Sequence, residues 1–363
     1  MPRPLAQGEN NCGGDGTPGN SLLGIGYGCS LSALIRGYRA LWSAVSGTTD
    51  PLVPFGVVTL AAGGSEGSGQ HMAGIRWSQT ANNGVLPSPL LPRTFLAQAF
   101  DIGDPWLTAI DNDDAHHCAR PDTTTGAYGP TCVRPWTNES AWDDDLRTLA
   151  PRVRNDSTPE FLGSIHARIK SPVGRRLAHA YLALIGKTTG ALSGPTIAGC
   201  EVADDNSSIA VTYNASLLRG EVVQVTPFNN DVSTWGTGGD SLTFMVCVIT
   251  AKYTASDCVT ELALWSPVPA IPGTEGGAVT LSLTPAQISA AASGSLVAVR
   301  YAWPLGDRGD TCCPSSNVTN GLQVCAPGSC PIKTATSLLP GNPFYAMLVS
   351  RRCACNAPQL CDG

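Results

Sequence analysis

The chain has 363 residues, of which 42% are apolar and only 14% are charged, and its formal net charge is −6. This composition excludes an intrinsically disordered chain, and the acidic balance speaks against nucleic acid as a partner, because that surface needs a basic patch. No apolar stretch reaches the ~18 residues that a membrane span requires. The length allows two domains.

The first half of the sequence alternates helices with short buried strands. Apolar residues at helical spacing, and continuous apolar runs typical of buried parallel strands, predict the following elements in chain order: a helix over residues 31–45, a strand over 55–61, a helix opening at Ile75, a strand over 95–100 and a helix over 173–185. Asp101 and Asp104 follow the second strand. They stand where open α/β sheets bind their ligands.

Residues 111–160 interrupt this pattern and predict a long surface insertion, rich in Asp, Thr, Pro and Trp. Asp111 to Asp114 and the following His116, His117 and Cys118 lack the glycine and glutamate of a calcium loop and the cysteine spacing of a zinc site, so we predict no metal. From Gly190 onward, short strands alternate with glycine, asparagine and serine, which indicates an all-β, sandwich-like unit. We therefore predict one domain over 1–190 and a second over 191–363.

Fourteen cysteines indicate disulfides formed in an oxidising compartment. Five N-x-S/T sequons agree with the secretory pathway, either secretion or a lysosome: Asn138, Asn155, Asn206, Asn214 and Asn317. The first ten residues, MPRPLAQGEN, do not form a signal peptide. We therefore expect the sequence to begin downstream of its natural start.

Several segments, in order, resemble the sialate O-acetylesterase family, whose members are SGNH-type carbohydrate esterases. They are QGENN (7–11), CSLSALIRGYRALW (29–42), IRWSQTA (75–81), TFLAQAFDIGDP (94–105), FLGSIHARIKSPVGRRLAHAYLAL (161–184), VAVRYAW (297–303), CPI (330–332) and LPGNPFYAML (339–348). The resemblance implies a partial three-layer α/β/α SGNH-hydrolase-like domain followed by a β-sandwich. It also implies release of acetyl groups from sialic acids or related sugars, without a cofactor.

The resemblance assigns roles to individual residues. His166, in the IHAR segment before a helix, would be the general base, and Gln7 would donate to the oxyanion. Asp101 and Asp104 are the candidate acid partners of His166. Three residues are predicted to bind substrate: Glu9 beside Gln7, and Arg76 and Gln79, which share a helix face at i and i+3.

The nucleophilic serine of the family lies before the segment that matches Gln7, where this sequence has no serine. We therefore expect the 363 residues alone to lack esterase activity. Two alternatives stay open: a carbohydrate-binding relative without catalysis, and a serine hydrolase that uses Ser65 in GGSEG, a G-x-S-x-G pattern. Ser241 of GDSL opens a predicted strand instead of a helix, so we reject it as the nucleophile.

Disulfide pairs are predicted on two grounds. The resemblance implies Cys313–Cys330, because relatives carry a cysteine pair after RYAW. Proximity in sequence predicts Cys118–Cys132, which would close the insertion on itself, as well as Cys12–Cys29 and Cys247–Cys258.

Overall fold

The computed structural model describes residues 4–5, 25–61, 70–80, 86–102, 170–226, 244–273, 276–303 and 330–354, together with 312, 318–319, 322–323 and 328. Over these residues, helices combine with a small parallel sheet and a large antiparallel sheet. The fold is therefore mixed α/β. None of the helices within these ranges has the length and apolarity needed to cross a bilayer.

In its described residues, the first part of the chain contains a parallel sheet of three strands and three helices; the apolar pattern predicts these helices and the two longer strands. The strands are β1 (Pro4–Leu5), β2 (Phe55–Val58) and β3 (Thr94–Ala97), hydrogen-bonded in that order. The helices are α1 (Ile25–Trp42), α2 (Gln70–Ser78) and α3 (Ser171–Leu184). Pro172 lies in the first turn of α3, where its missing N–H costs nothing.

Helices pack on both faces of these parallel strands. Leu31 and Ile35 of α1 pack against Val57 of β2 on one face. On the opposite face, Leu177 of α3 packs against Val58. Because successive side chains of a strand point to opposite faces, the neighbouring residues Val57 and Val58 each meet a different helix.

The second part of the chain contributes a large antiparallel sheet. In the described residues its strands follow the order β8-β7-β11-β15-β16-β4-β5-β10-β9, and two further pairs, β12 with β13 and β6 with β14, lie outside it. The bounds are β4 Ile197–Val202, β5 Ser208–Tyr213, β6 Val223–Val225, β7 Phe244–Val248, β8 Trp265–Val268, β9 Ala270–Pro272, β10 Ala278–Ser282, β11 Leu296–Tyr301, β12 Val318–Thr319, β13 Leu322–Gln323, β14 Ile332–Thr334, β15 Phe344–Val349 and β16 Arg352–Ala354. The predicted boundary at residues 190–191 lies in the connection between α3 and β4.

The antiparallel sheet folds back on itself. Val211 and Val279, from one end of the strand order, share a single apolar core with Val246 and Val268 from the other end. This packing encloses the side chains of one sheet face, as in a sandwich.

The prediction that this second part is all-β is wrong in detail, because it also contains α4 (Ala215–Leu218) and α5 (Pro285–Ala292). Helix α5 begins with a capping box. The Thr284 hydroxyl accepts from the backbone of Gln287, whose side chain accepts from the Thr284 backbone N–H. Pro285 then occupies the first helical turn.

The outer face of this sheet is also buried, where strands β7, β11 and β15 meet α2. Met245, Ala298 and Tyr345 lie on that face and pack in one cluster with Ala73 of α2. Arg300 pairs directly with Met245 on one side and Tyr345 on the other, so it projects from the same face. Every residue of β11 is buried as a result.

Two predicted disulfides can be compared with the structure. Cys247–Cys258 is confirmed. The prediction of Cys313–Cys330 is wrong, because Cys330 pairs with Cys312 instead. Cys312 is buried with Cys330 against Phe100, and Cys313 lies outside the described residues.

The described residues include three further cysteines, Cys29, Cys200 and Cys353, and the others lie outside the described ranges. Cys200 of β4 pairs with Cys353 of β16 across 153 residues of sequence. Cys29 is disulfide-bonded, and its predicted partner Cys12 lies outside the described residues. So do both members of the predicted pair Cys118–Cys132.

The Cys200–Cys353 bridge is expected to make a large contribution to stability, because it closes a loop of 153 residues. Replacing both cysteines with alanine should lower the free energy of unfolding by about 4–5 kcal/mol, from the loop entropy gained by the unfolded chain. Urea denaturation measures the loss. Each single variant should lose as much as the double variant, since one cysteine cannot form the bridge. A double variant within about 1 kcal/mol of the parent would contradict this account.

Candidate functional site

The candidate site is the region beyond the carboxyl ends of β2 and β3, where parallel sheets bind ligands. Thr59 and Leu60 follow β2, and Gln98 to Asp101 follow β3. The two segments are tied together, because the backbone N–H of Ala99 donates to the Thr59 hydroxyl at 2.9 Å. This hydrogen bond holds the two segments together just beyond the point where the backbone hydrogen bonds between β2 and β3 end.

Arg76 of α2 and Gln79, the residue after that helix, hold the segment that follows β2. The Arg76 guanidinium donates to the carbonyls of Leu60 and Ala61 at 3.2 and 2.5 Å. The Gln79 side chain accepts from the Leu60 N–H at 3.0 Å and donates to the carbonyl of Val58. Both side chains are buried, at 2% and 1% exposure. Both side chains bond the segment that follows β2, although Gln79 lies one residue after the end of α2; contact with substrate stays a prediction.

Asp101 forms a buried, bidentate ion pair with Arg176 of α3. The two guanidinium nitrogens donate to the two carboxylate oxygens at 2.6 Å each. Asp101 is fully buried and Arg176 is 9% exposed. Arg176 also donates to the carbonyl of Gln98 at 2.7 Å, so one side chain fixes α3 against the end of β3.

The second part of the chain reaches the same carboxylate. The backbone N–H of Gly328 donates to Asp101 at 2.8 Å. Lys333 lies nearby: burial lowers the pKa of its ammonium group, and attraction to Asp101 acts in the opposite direction. Phe100, next to Asp101, packs against the Cys312–Cys330 bridge. The carboxyl end of β3 therefore contacts both parts of the chain.

A second buried polar network lies beside this ion pair and was not predicted. The Gln98 amide donates to Ser193 and to Asn342, each at 3.0 Å. The Asn342 amide in turn donates to Ser193 at 3.0 Å and to Thr196 at 2.8 Å. All four side chains are buried. Asn342 lies in LPGNPFYAML, a segment that was noted for its resemblance to the family. The sequence pattern of that segment does not predict the hydrogen bonds of Asn342 to Gln98, Ser193 and Thr196.

Gly194 lets the backbone run close to this network. A Cβ atom at that position would lie 1.8 Å from the carbonyl oxygen of Pro340. Only glycine allows such an approach. The LPGN segment is thereby held against the residues that follow α3.

Several predicted site residues lie outside the described residues: His166, Gln7, Glu9 and Asp104, and the alternative nucleophile Ser65. Their roles stay predictions. Of the predicted site, the structure thus places Asp101, Arg76 and Gln79, and it places all three at the carboxyl ends of β2 and β3. In the ranges that the structure describes, no cluster of three or more His, Cys, Asp or Glu side chains could hold a metal ion.

Comparison with known proteins gives a short match. No protein-family model matches the chain. Over 80 residues, 22% of this chain, the sequence is 40% identical to the sialate O-acetylesterases of Homo sapiens and Pongo abelii. The corresponding enzyme of Mus musculus is 39% identical over a match of the same length. The matched residues span 15% of each of these relatives.

Proposed function

We propose that this protein is an esterase of the sialate O-acetylesterase type, which removes O-acetyl groups from sialic acids or related acetylated sugars. The observation that carries the proposal is the 40% identity to curated sialate O-acetylesterases over 80 residues. The parallel strands with helices on both faces are in keeping with a three-layer SGNH-type domain. The disulfides of the described residues support folding in the secretory pathway.

In the proposed reaction, a serine attacks the acetyl carbonyl and His166 takes its proton. His166 then gives that proton to the sugar oxygen as its bond to the acetyl carbon breaks, and water hydrolyses the acetyl-serine to release acetate. Gln7 donates to the oxyanion of the tetrahedral intermediate, where such donors act most strongly. Asp104 is the acid partner that we favour for His166. Asp101 already accepts two hydrogen bonds from Arg176 and one from Gly328 inside the fold. Asp101 and Arg176 then position the helix that follows His166.

The nucleophile separates the three forms of this proposal. In the resemblance, no serine of this sequence matches the family's nucleophile. The family hypothesis therefore predicts no turnover by these 363 residues alone. The hypothesis that Ser65 is the nucleophile predicts that the chain hydrolyses the ester and that this activity is lost without Ser65. A carbohydrate-binding relative would bind the sugar and release no acetate in any form of the protein.

The deciding experiment assays the 363-residue chain with an aryl acetate and with an O-acetylated sialic acid. Turnover that disappears in Ser65→Ala supports the Ser65 reading and overturns the family assignment of the nucleophile. Turnover that survives in Ser65→Ala contradicts both assignments. Without turnover, the same assay on the protein purified from its natural source distinguishes an esterase from a binding relative.

A further inference from the structure

Two of the five N-x-S/T sequons lie within the described residues, and both flank strand β5. Asn206, with Ser208, lies in the turn between β4 and β5, and Asn214, with Ser216, follows the last residue of β5. A sequon recurs by chance, so its use as a modification site depends on where the fold places the asparagine. The atom that decides is the side-chain nitrogen Nδ2, to which an N-linked glycan is attached.

Asn214 uses its side-chain oxygen in the fold and leaves Nδ2 at the surface. It is the N-cap of α4: its Oδ1 accepts from the backbone N–H of Ser216 at 3.0 Å and from the Ser216 hydroxyl at 2.7 Å. In the part of the chain that the structure describes, Nδ2 donates to no group and is not a buried atom. The next residues, Ala215 and Ser216, are exposed. A sugar on Nδ2 therefore leaves Oδ1 in place as the cap of α4.

Asn206 directs the same atom outward from a turn. Its backbone has a φ of +61°, in the left-handed region that asparagine adopts more readily than most residues. Its side-chain oxygen is buried, and because the amide is planar, Nδ2 lies on the opposite side, towards solvent. Asp205 and Ser207 on either side are exposed. The Asp205 carboxylate accepts from the backbone N–H and the hydroxyl of Ser207, so the turn is held without Nδ2 of Asn206.

Both asparagines border the part of the antiparallel sheet whose outer face is in solvent. Side chains alternate along β5: Ser208, Ala210 and Thr212 point outward and are not buried, whereas the three residues between and after them lie in the core. Strand β11 differs, because α2 packs on its outer face and all of its residues are buried. A glycan at either end of β5 therefore displaces no packed element of the described fold.

The order of the strands along the chain keeps both sequons accessible during synthesis. Besides each other, β4 pairs with β16 and β5 pairs with β10, and both of these partners come later in the sequence. Cys200 of β4 likewise pairs with Cys353, 153 residues further on. A two-stranded hairpin alone is at best marginally stable. The β4–β5 hairpin therefore cannot hide the two asparagines before the rest of the sheet is made.

We propose that Asn206 and Asn214 each carry an N-linked glycan. In the modification, Nδ2 forms a bond to C1 of the first sugar of a lipid-linked oligosaccharide pyrophosphate. The bond from C1 to the pyrophosphate oxygen breaks, and Nδ2 loses one proton. The inference rests on the proposed folding in the secretory pathway, and it does not depend on esterase activity.

The test is glycopeptide mass spectrometry on the full chain purified from its natural source. Fragmentation that keeps the sugar attached assigns it to a particular asparagine, which deamidation of that asparagine cannot imitate. We expect N-acetylhexosamine on Asn206 and on Asn214 in most copies of the protein, because both Nδ2 atoms face solvent.

Recombinant variants separate the sequon from the asparagine itself. The full chain is expressed in mammalian cells behind a cleavable signal peptide. Ser208→Ala and Ser216→Ala should each lose one glycan, seen as one step of higher mobility on a denaturing gel, whereas Ser208→Thr and Ser216→Thr should lose none. Ser207→Ala is the matched control, because it changes only the middle position of the first sequon and should keep both glycans. Since the glycans are added before folding is complete, a variant that is not secreted still reports its sites from the cell extract.

Unmodified Asn206 or Asn214 in most copies of the natural protein would overturn the inference, as would unchanged gel mobility in Ser208→Ala or Ser216→Ala. The disulfides distinguish this failure from a failure of the proposed pathway. An intact Cys200–Cys353 bridge beside unmodified asparagines contradicts only the glycans. Free thiols at both cysteines, together with unmodified asparagines, contradict folding in the secretory pathway as well.

Discussion

Replacing Arg176 with methionine is expected to lower the free energy of unfolding by about 3–5 kcal/mol, the usual cost of removing one partner of a buried ion pair. The variant leaves the fully buried Asp101 carboxylate without its two 2.6 Å hydrogen bonds. It also removes the donor to the carbonyl of Gln98 at the end of β3. Urea denaturation, followed by far-ultraviolet circular dichroism, measures the loss.

Two variants control this experiment. Arg352→Met breaks an ion pair whose side chains are 72% and 57% exposed, so it should cost at most about 1 kcal/mol. The double variant Asp101→Ala/Arg176→Met should be less destabilised than the sum of its single variants, because no buried charge is left unpaired. A loss in Arg176→Met no greater than in Arg352→Met would show that the buried pair contributes little.

The order and type of the first elements could be predicted from the sequence, but the ends of the strands could not. The apolar run 55–61 predicts a strand of seven residues, and β2 ends at Val58. Beyond that point the backbone of Leu60 and Ala61 is bonded by the side chains of Gln79 and Arg76. Apolar pattern alone does not reveal that side chains from another helix replace the strand ladder.

The same explanation holds for the second strand. The run 95–100 predicts a strand to Phe100, whereas β3 ends at Ala97. The carbonyl of Gln98 then accepts from Arg176, and the N–H of Ala99 donates to Thr59. Both strands therefore end where polar side chains begin to bond the backbone, which is also where the candidate site lies.

The helical spacing of residues 31–45 predicts one apolar face formed by Leu34, Ile35, Tyr38, Leu41 and Trp42, and the structure agrees with that face only in part. Ile35 is fully buried as expected, but Leu41 is 70% exposed, and the buried line runs through Leu31 instead. Residues 31 and 35 are one helical turn apart and meet Val57, whereas Tyr38 stacks on Trp42 at the rim. Apolar periodicity identifies a helix and its approximate buried face. Which residues of that face are fully buried depends on the strand against which the helix packs.

The contacts within the candidate site were even harder to predict from the sequence. Asp101 was singled out by its place after a strand, but its partner Arg176 is 75 residues away and reads in sequence as an ordinary helix surface residue. Gln98 and Asn342 are separated by 244 residues. Arg300 lies within a segment noted for its resemblance, and its burial beside Met245 and the Trp265 ring becomes visible only when the outer face of the sheet is seen to be covered.

Replacing His166 with alanine is expected to reduce acetyl release by at least ~100-fold in any active form of the protein, the usual scale for loss of a positioned general base. The expectation follows from the proposed mechanism, in which His166 takes the proton of the attacking serine. It holds whichever serine is the nucleophile. The measurement is the initial rate with an O-acetylated sialic acid at saturating concentration, so that the loss appears in kcat.

His179 offers a matched control for that substitution. It lies on α3, thirteen positions after His166, and its ring nitrogen Nε2 is 2.8 Å from the carbonyl oxygen of Ala191. Its contacts are with the fold, so His179→Ala should change stability and leave kcat within about threefold, unlike the loss of a general base. Equal kcat in His166→Ala and His179→Ala would exclude His166 as the base. A large loss confined to His166→Ala, with an unchanged melting temperature, would tie the chemistry to the IHAR segment.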